Sequence, residues 1–272
     1  MDKISLAGDL GSGKSTVSDI LIERLGAEYY STGTIVRNIA AKYGMSVADL
    51  NVYMQDHPEI DHEIDDGLVR LGDDERMLII DSRMAWHFTK GTFAVYLTVD
   101  PFVAGARIMA ANRKNEHCES VEATVRETAK RRASEKLRYM TQYGVDITDL
   151  TNYSLIVDTT GLTPVEVAEA IIEGFRKWQA DKSYKCALIS PKRLMFPDDA
   201  ADMQLALALS DRLDSGEEIE KVVFSEREGR FYVVGGVESA QAYVISNADL
   251  IPAKMVKAEI DTASFVPLAT SL

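Results

Sequence analysis

The first 180 residues alternate short apolar runs with longer segments in which apolar residues recur every three or four positions. Short apolar runs predict buried strands, and the wider spacing predicts amphipathic helices. Alternation of the two predicts an α/β fold, a three-layer arrangement in which a parallel sheet has helices on both faces. The predicted strands before residue 160 lie at 4–7, 28–31, 77–80, 94–99 and 155–157.

The pattern changes after residue 180, where the polar segment 181–185 carries no periodic apolar signal. We therefore predict two domains, an α/β domain over 1–180 and a small α+β domain over 186–260. The tail 261–272 is rich in Ser, Thr and Ala, and we expect it to be loose. The elements predicted in the second domain are strands at 186–189, 222–225, 231–234 and 251–256 and helices at 199–213 and 238–245.

The 272 residues include 43 acidic and 30 basic side chains, for a net charge of −13. Such a chain repels phosphate, which disfavours nucleic acid and anionic membranes as partners. A small anionic substrate would need a local basic cluster.

Two cysteines, Cys118 and Cys186, are too far apart for a metal-binding pair and too few for a disulfide scaffold, so we expect a reducing compartment. Apolar runs fall short of the ~20 residues that span a bilayer. The first residues lead straight into a strand, so we expect no signal peptide and a cytoplasmic protein.

A phosphate-binding loop is the clearest motif. Residues 8–15, GDLGSGKS, match the pattern G-x-x-x-x-G-K-S/T, with a predicted strand before them and a helix after them. Glycines let successive backbone N–H groups point at phosphate oxygens, the lysine reaches the β- and γ-phosphates, and the hydroxyl holds Mg²⁺. A chance match in a glycine-rich turn would not explain that context. The candidate nucleotide-binding residues are Gly8, Gly11, Ser12, Gly13, Lys14, Ser15 and Thr16.

Two acids and an arginine accompany this loop. Asp81 ends a buried strand and, with Ser15, is the candidate metal ligand, although an acid there can also be a turn residue. Asp9 lies within the loop, where it would help to place the metal or the acceptor, or else point to the surface. Arg83 follows Asp81 closely enough to lie near a transferred phosphate.

An acceptor site is predicted at the end of the second strand. Ser31 and Gly33 lie there, and Arg37 follows one turn into the next helix, where its guanidinium could hold a phosphate in bidentate fashion. Asp61 would meet sugar hydroxyls or base amines, or it would belong to a solvated acidic helix face.

The basic cluster that the net charge calls for lies on one predicted helix. Arg131 and Arg138 share a face of that helix with Glu135. We predict a mobile lid whose arginines neutralise the transition state and exclude water. The alternative is a solvated helix with internal ion pairs. The cluster consists of Arg126, Lys130, Arg131, Arg132, Lys136 and Arg138.

In order along the chain, these motifs resemble the cytidylate kinase-like branch of the P-loop nucleoside monophosphate kinases, in particular the short archaeal type, over about residues 1–178. The resemblance rests on the loop 8–15, STG at 31–33 with Arg37, HPEID at 57–61, DSRMAW at 81–86, SEKLRY at 134–139, YGVD at 143–146 and VDTT at 157–160. It implies ATP and Mg²⁺ at the loop, with Lys14, Arg83, Arg131 and Arg138 as catalytic residues. It further implies that Ser31, Arg37 and Arg83 hold the acceptor phosphate and that Asp158 lies near the acceptor nucleoside.

The sequence departs from that family at two places. Asp9 and Leu10 stand where proline-like residues are usual, and Asp81 and Ser82 replace Glu-Gly before the arginine. These positions touch the phosphate loop and the acceptor wall, so they put cytidine specificity in doubt more than kinase chemistry.

Residues 186–260 resemble a ParB-like fold, on the basis of LISPKRL at 188–194, GRFYVVGG at 229–236 and LIP at 250–252. That family binds phosphate with an Asp-Gly pair and a later arginine. Here Gly235, Gly236 and Ser239 stand in their places, so the resemblance implies a degenerate module used for regulation, substrate presentation or assembly. An unrelated α+β appendage is the alternative.

The expected function is Mg²⁺-dependent transfer of the ATP γ-phosphoryl group to a small acceptor, with CMP or dCMP first. A kinase of another small metabolite is one alternative. A nucleotide-binding regulator with weak turnover is another. The oligomeric state stays open.

Overall fold

The computed structural model describes residues 2–46, 49–50, 53–54, 56–111, 120–198 and 201–267. Cys118 lies outside the described residues. Within them, eleven strands pair in a single sheet, in the order β11-β7-β9-β8-β10-β6-β5-β4-β1-β3-β2. None of the helices described is long and apolar enough to cross a membrane.

The strands and helices are taken in chain order. The strands are β1 Lys3–Gly8, β2 Glu28–Ser31, β3 Leu78–Asp81, β4 Thr92–Thr98, β5 Leu155–Asp158, β6 Cys186–Ile189, β7 Leu194–Pro197, β8 Val222–Arg227, β9 Arg230–Gly235, β10 Ile251–Met255 and β11 Phe265–Pro267. The helices are α1 Lys14–Leu25, α2 Thr32–Lys42, α3 Pro58–Arg70, α4 Ala85–Phe88, α5 Pro101–Ala110, α6 Val121–Tyr143, α7 Pro164–Ala180, α8 Met203–Asp214 and α9 Val237–Ile245.

The strands β1 to β5 are mutually parallel. Helices α1 and α7 cover one face, where Leu21, Ile171 and Trp178 join a buried cluster with Phe93 of β4. The other face packs Tyr96 and Tyr153 into a second cluster. The predicted three-layer α/β fold is therefore confirmed, and its strands fall close to the predicted positions.

Local sequence signals explain where the helices begin. Ser120 caps the predicted basic helix α6 by accepting a hydrogen bond from the backbone of Ala123, and Gly144 ends that helix in the left-handed conformation. Thr163 and Glu166 form a reciprocal capping box at the start of α7, with Pro164 at the first helical position.

The sheet continues beyond residue 180 without a break. Strand β6 pairs in parallel with β5, and β10 then pairs antiparallel with β6. The hairpin β8–β9 and strand β7 extend the sheet further. The predicted elements of 186–260 are present, and β7 is an additional strand. The division into domains 1–180 and 186–260 stays a prediction, since hydrogen bonds of the sheet cross it.

The tail prediction was wrong for residues 261–267. Asp261 caps a short 3₁₀ helix at Thr262–Ser264, and β11 pairs antiparallel with β7. The rings of Phe265 and Tyr232 pack edge to face with centroids 5.2 Å apart. Composition does not reveal this aromatic contact, which anchors the segment. Residues 268–272 lie outside the described residues.

A buried ion pair joins the α/β part to the C-terminal part. Nη1 of Arg193 lies 3.2 Å from Oδ1 of Asp158, and the two side chains are 6% and 0% exposed. Asp158 also accepts hydrogen bonds from the backbone of Ser190 and Thr160. The Asp158 carboxylate is therefore buried and satisfied within the fold, and its predicted position near an acceptor nucleoside stays a prediction.

We expect Asp158→Ala to lower the free energy of unfolding by about 3–5 kcal/mol, because it leaves the Arg193 guanidinium buried without its partner. Urea denaturation measures this change. Glu173→Ala, which removes an exposed pair with Lys177 on α7, should change stability by no more than about 0.5 kcal/mol. Equal effects of the two substitutions would contradict the assigned role of the buried pair.

Candidate active site

The carboxyl ends of the central strands meet at one edge of the sheet. Leu6 of β1 and Ser31 of β2 are both in register with Asp81 of β3. The loop 8–15 leaves the sheet here, next to the point where the chain crosses from β3 to β4 on the other side of β1. Open α/β sheets bind ligands at such a change of direction.

Three positions of the loop require glycine, either because neighbouring backbone atoms lie too close for a side chain or because φ is positive. A Cβ atom on Gly8 would lie 2.4 Å from the carbonyl oxygen of Leu97, and one on Gly11 would lie 2.7 Å from that of Ala104. Gly13 has φ 84° and caps α1 in the left-handed conformation. Only glycine fits these positions without strain, so the loop keeps a fixed shape.

The inside of the loop suits an anion. No side chain of the described residues caps α1, so the N–H groups of its first turn keep their hydrogen-bonding capacity. Ser12 is 2% exposed, and its hydroxyl lacks a hydrogen-bond partner among the described residues. Ser15 and Thr16 are exposed in the first turn of α1. These groups fit the phosphates of a nucleotide.

The Lys14 ammonium group binds to the backbone of the loop. Its Nζ donates to the carbonyl oxygens of Gly8 and Asp9 at 3.1 and 3.4 Å. Burial and the nearby Arg83 guanidinium lower the pKa of Lys14 to about 8. A phosphate would counter both effects, because its negative charge favours the protonated amine.

The Asp9 side chain does not face the phosphates. Its Oδ1 accepts from Tyr96 Oη at 2.6 Å and from Nη1 of Arg132 at 2.8 Å. Its Oδ2 accepts from Thr98 Oγ1 at 3.0 Å and from the Val99 amide at 3.3 Å. Burial alone would raise the pKa of Asp9, but Arg132 and the hydroxyls outweigh burial and lower it. The structure thus supports neither a metal-placing nor a surface-pointing Asp9.

Glu135 of α6 links two of the predicted arginines. Its Oε2 lies 2.8 Å from Nε of Arg83, and its Oε1 lies 3.1 Å from Nε of Arg131. Arg83 also donates to the carbonyl of Gly8. Burial alone would lower the pKa of Arg83, but the negative charge of Glu135 outweighs burial and raises that pKa. Arg83 therefore stays charged beside the loop.

Arg138 lies further along α6, next to Asp61 of α3. Nη2 of Arg138 donates to the Tyr139 hydroxyl at 3.0 Å, and the Asp61 charge helps to keep the guanidinium protonated. Asp61 is 8% exposed, so the solvated-face alternative does not hold for it. Its neighbour Asp65 accepts from the Tyr143 hydroxyl.

The predicted acceptor residues cluster at the start of α2. Ser31 caps this helix by accepting from the Thr34 amide at 3.4 Å, and the exposed Arg37 donates to the Thr34 hydroxyl at 2.9 Å. A Cβ atom on Gly33 would lie 3.6 Å from Arg37 Nη1 and 3.7 Å from Ser31 Oγ. The Gly33 backbone therefore lies against both polar groups.

Asp81 accepts a hydrogen bond at 2.9 Å from Tyr29. Burial and the Asp81 charge raise the pKa of Tyr29 to about 12, so the phenol stays protonated. The described residues contain no group of three or more His, Cys, Asp or Glu suited to a metal ion. A divalent cation at Ser15 and Asp81 would take most of its ligands from phosphates and water, as Mg²⁺ commonly does.

Several contacts that hold the site were not predicted by the sequence analysis. Tyr96, Thr98 and Arg132 anchor Asp9. Arg107 of α5 donates to Thr159 in the loop after β5 at 2.8 Å. The cluster on α6 contained Arg132, but nothing in the sequence pairs it with Asp9, 123 positions away.

A cavity of about 990 Å³ adjoins the loop. Asp9 and Arg83 lie on one side of it, and one wall is formed by α6. Residues 225–229 and 255–259 of the C-terminal part form the opposite wall. The C-terminal part therefore lines the same cavity as the phosphate loop.

Similarity to known proteins agrees with this geometry. Residues 4–127 match the family model of an AAA domain. The chain is 34% identical over 174 residues to a cytidylate kinase of Thermoplasma volcanium, covering 62% of this chain and 89% of that protein. It is also 34% identical over 172 residues to a cytidylate kinase of Archaeoglobus fulgidus, covering 63% of this chain and 93% of that protein.

A longer relative is an S-adenosylmethionine-dependent nucleotide dehydratase of Lacinutrix mariniflava, 38% identical over 179 residues. The match covers 65% of this chain but 37% of the dehydratase, so the chain spans little more than a third of that protein. Among solved structures, a shikimate kinase of Bacteroides thetaiotaomicron aligns with a TM-score of 0.43 and 15% identity, covering 65% of this chain and 98% of that one.

We expect the affinity for Mg-ATP to fall as pH rises through about 8, the pKa of Lys14 in the free protein. Only the protonated amine attracts phosphate, so the dissociation constant should rise about tenfold per pH unit above that value. Calorimetry between pH 6.5 and 9.5 measures the change. Lys14→Ala should bind weakly and without this pH dependence, and an unchanged slope in that variant would assign the titration to another group.

Proposed function

The chain belongs to the cytidylate kinase family of P-loop kinases, and on that premise we propose that it transfers the γ-phosphoryl group of ATP to a pyrimidine nucleoside monophosphate, CMP or dCMP first. The observation that carries the proposal is the phosphate loop with Lys14 bound to its backbone and with Arg83 and Arg131 linked through Glu135. Charge neutralisation and positioning account for most of the catalysis in phosphoryl transfer.

Donor phosphates would lie inside the loop 8–15. The free N–H groups at the start of α1 and the Ser12 hydroxyl would bind their oxygens, and Lys14 would contact the β- and γ-phosphates. Mg²⁺, held by Ser15 and Asp81 together with the nucleotide, would neutralise phosphate charge. Gly8, Gly11 and Gly13 shape the backbone, and Thr16 extends the first turn.

The acceptor phosphate would lie between α2, the end of β3 and α6. Arg37 reaches it from α2, and Arg83 and Arg131 approach from either side of Glu135. Glu135 holds these two guanidiniums in place before substrate arrives, so little reorganisation is needed in the transition state. Arg138 and Asp61 would meet the nucleoside, and Ser31 and Gly33 would line the wall.

The choice of acceptor rests on the cytidylate kinase relatives, and the dehydratase relative, also named for nucleotides, agrees with that substrate class. Asp81 and Ser82 at the acceptor wall favour a second candidate, a kinase of another small metabolite, because they change the hydrogen-bonding groups there. The intact Lys14 argues against a regulator with weak turnover.

The C-terminal part is proposed as a ParB-like module without phosphate-binding function. Gly236 is the N-cap of α9 with φ 65°, and a Cβ atom there would lie 2.9 Å from the Lys221 carbonyl oxygen. Glu238 occupies the first turn of that helix. An acid at this position would repel a phosphate, which supports a role in assembly or in support of the kinase part.

With ATP and Mg²⁺, we expect CMP and dCMP to give initial rates of ADP formation at least tenfold above UMP, AMP, shikimate and gluconate. A coupled assay with each acceptor measures this. A non-nucleotide acceptor that exceeds CMP would favour the second candidate. Background rates with all acceptors would favour the nucleotide-binding regulator.

We expect Lys14→Ala to lower kcat by roughly 100- to 1000-fold, because it removes a preorganised charge from the transferring group. The melting temperature should stay close to that of the wild type, since the lysine is only partly buried. Lys177→Ala on the outer surface of α7 is the matched control and should keep full turnover. Wild-type turnover in Lys14→Ala would remove the assignment of the loop.

A further inference from the structure

A chain of buried and partly buried hydrogen bonds runs from the C-terminal hairpin to the phosphate loop. It begins at Gly229, in the turn between β8 and β9, whose carbonyl accepts from Nη2 of Arg193 at 2.7 Å. Arg193 Nη1 donates to Thr98 Oγ1 at 3.0 Å, and that hydroxyl donates to Asp9 Oδ2 at 3.0 Å. The Asp9 carboxylate also accepts a hydrogen bond from Arg132 of α6, the predicted lid helix. The sequence places none of these partners together.

The direction of each bond follows from the chemistry of the groups. An ionised carboxylate only accepts, so the single hydroxyl hydrogen of Thr98 goes to Asp9. A guanidinium only donates, so the Thr98 oxygen accepts from Arg193. Thr98 therefore has its one hydrogen aimed at Asp9 when Arg193 occupies the other side of its oxygen. Each bond also carries a charged partner, which makes it stronger than a neutral one.

Arg193 is fixed from several sides. It pairs with Asp158 at 3.2 Å, and its guanidinium carbon lies 4.7 Å from the ring centroid of Phe231 in β9. With 6% of its side chain exposed, it has little freedom to leave Thr98. Its contacts come from β4, β5 and the C-terminal hairpin, so its position depends on how the two parts pack.

Asp9 is the residue through which this chain reaches the phosphates. It follows Gly8 directly, and its carbonyl accepts from the Lys14 ammonium and from the Ser12 amide at 3.4 and 3.3 Å. Loss of the hydrogen bonds to the Asp9 carboxylate would free the side chain to turn toward the phosphates and would remove an anchor of the backbone that holds Lys14. Both changes would weaken nucleotide binding.

We propose that Arg193 is a positioning residue for the phosphate loop and that, by orienting the Thr98 hydroxyl onto Asp9, it makes the C-terminal part a requirement for full nucleotide affinity. The inference rests on the proposed function only in taking an adenine nucleotide as the ligand of the loop. Arg193 and Thr98 are both buried, and we expect their effect on nucleotide binding to pass through Asp9.

The first test removes the hydroxyl and keeps the shape of the side chain. Thr98→Val should raise the dissociation constant for Mg-ADP about tenfold, the lower range for a hydrogen bond to a charged group. Thr98→Ser keeps the hydroxyl and should bind within about twofold of wild type. Calorimetry on the full chain measures the affinities, and thermal denaturation records the folded state of each variant.

A matched control separates positioning from loss of stability. Ser210→Ala removes a buried hydroxyl that bonds to Ser246 at 2.7 Å within the C-terminal part. It should lower the melting temperature without changing the affinity for Mg-ADP. Should Thr98→Val match the wild-type affinity, or should Thr98→Ser lose as much affinity as Thr98→Val, the hydroxyl would have no positioning role.

A double-mutant cycle tests Arg193 itself. Arg193→Lys keeps the charge but loses the planar fork that serves Thr98, Asp158 and Gly229 together. In the Arg193→Lys background, Thr98→Val should cause little further loss of affinity for Mg-ADP. If the losses of the two substitutions add, the proposal is overturned. If Arg193→Lys does not fold, the affinities of Thr98→Val and Thr98→Ser for Mg-ADP still support or overturn the positioning role of the hydroxyl that Arg193 contacts.

The outcomes distinguish this inference from the function on which it rests. Wild-type protein that fails to bind Mg-ADP would remove both. Wild-type protein that binds, with unchanged affinity in Thr98→Val, would remove the positioning role and leave the kinase assignment standing.

Discussion

The structure depends on keeping the Asp9 carboxylate away from the phosphates that the adjacent backbone would bind. An acid in a phosphate loop opposes its own ligand unless the charge is compensated. Here Arg132, two hydroxyls and a backbone amide compensate it, and all of them lie on β4, the residue that follows it, or α6. The loop, the sheet and the predicted lid helix are thereby joined at one buried group.

Local compensation of charge also explains how an acidic chain can bind an anionic substrate. A net charge of −13 repels phosphate at long range, yet screening limits that field to roughly 10 Å at ordinary ionic strength. Within the site, Glu135 binds both Arg83 and Arg131, and Arg83 lies near Lys14. Burial and then the nearby Arg83 guanidinium lower the pKa of Lys14, and a ligand of several negative charges would counter both effects.

The C-terminal part is built into the core of the molecule. Its first strand extends the parallel sheet, and its buried Arg193 pairs with Asp158 at the end of β5. A carboxylate that the family resemblance assigned to the acceptor is thus used to hold the two parts together. The predicted domain boundary coincides with a change in sequence pattern, but the packing makes the two parts interdependent near the phosphate loop.

Local signals in the sequence determined the order of strands and helices, the parallel sheet, the glycine-lysine loop and the arginines of α6, because periodicity, capping and loop chemistry act over a few residues. Tertiary structure alone decided which charged side chains pair. Asp9 meets Arg132 and Asp158 meets Arg193 across 123 and 35 positions, and Phe265 anchors a tail that composition predicted to be loose. Such pairings follow from which surfaces fold against each other, and no spacing along the chain encodes them.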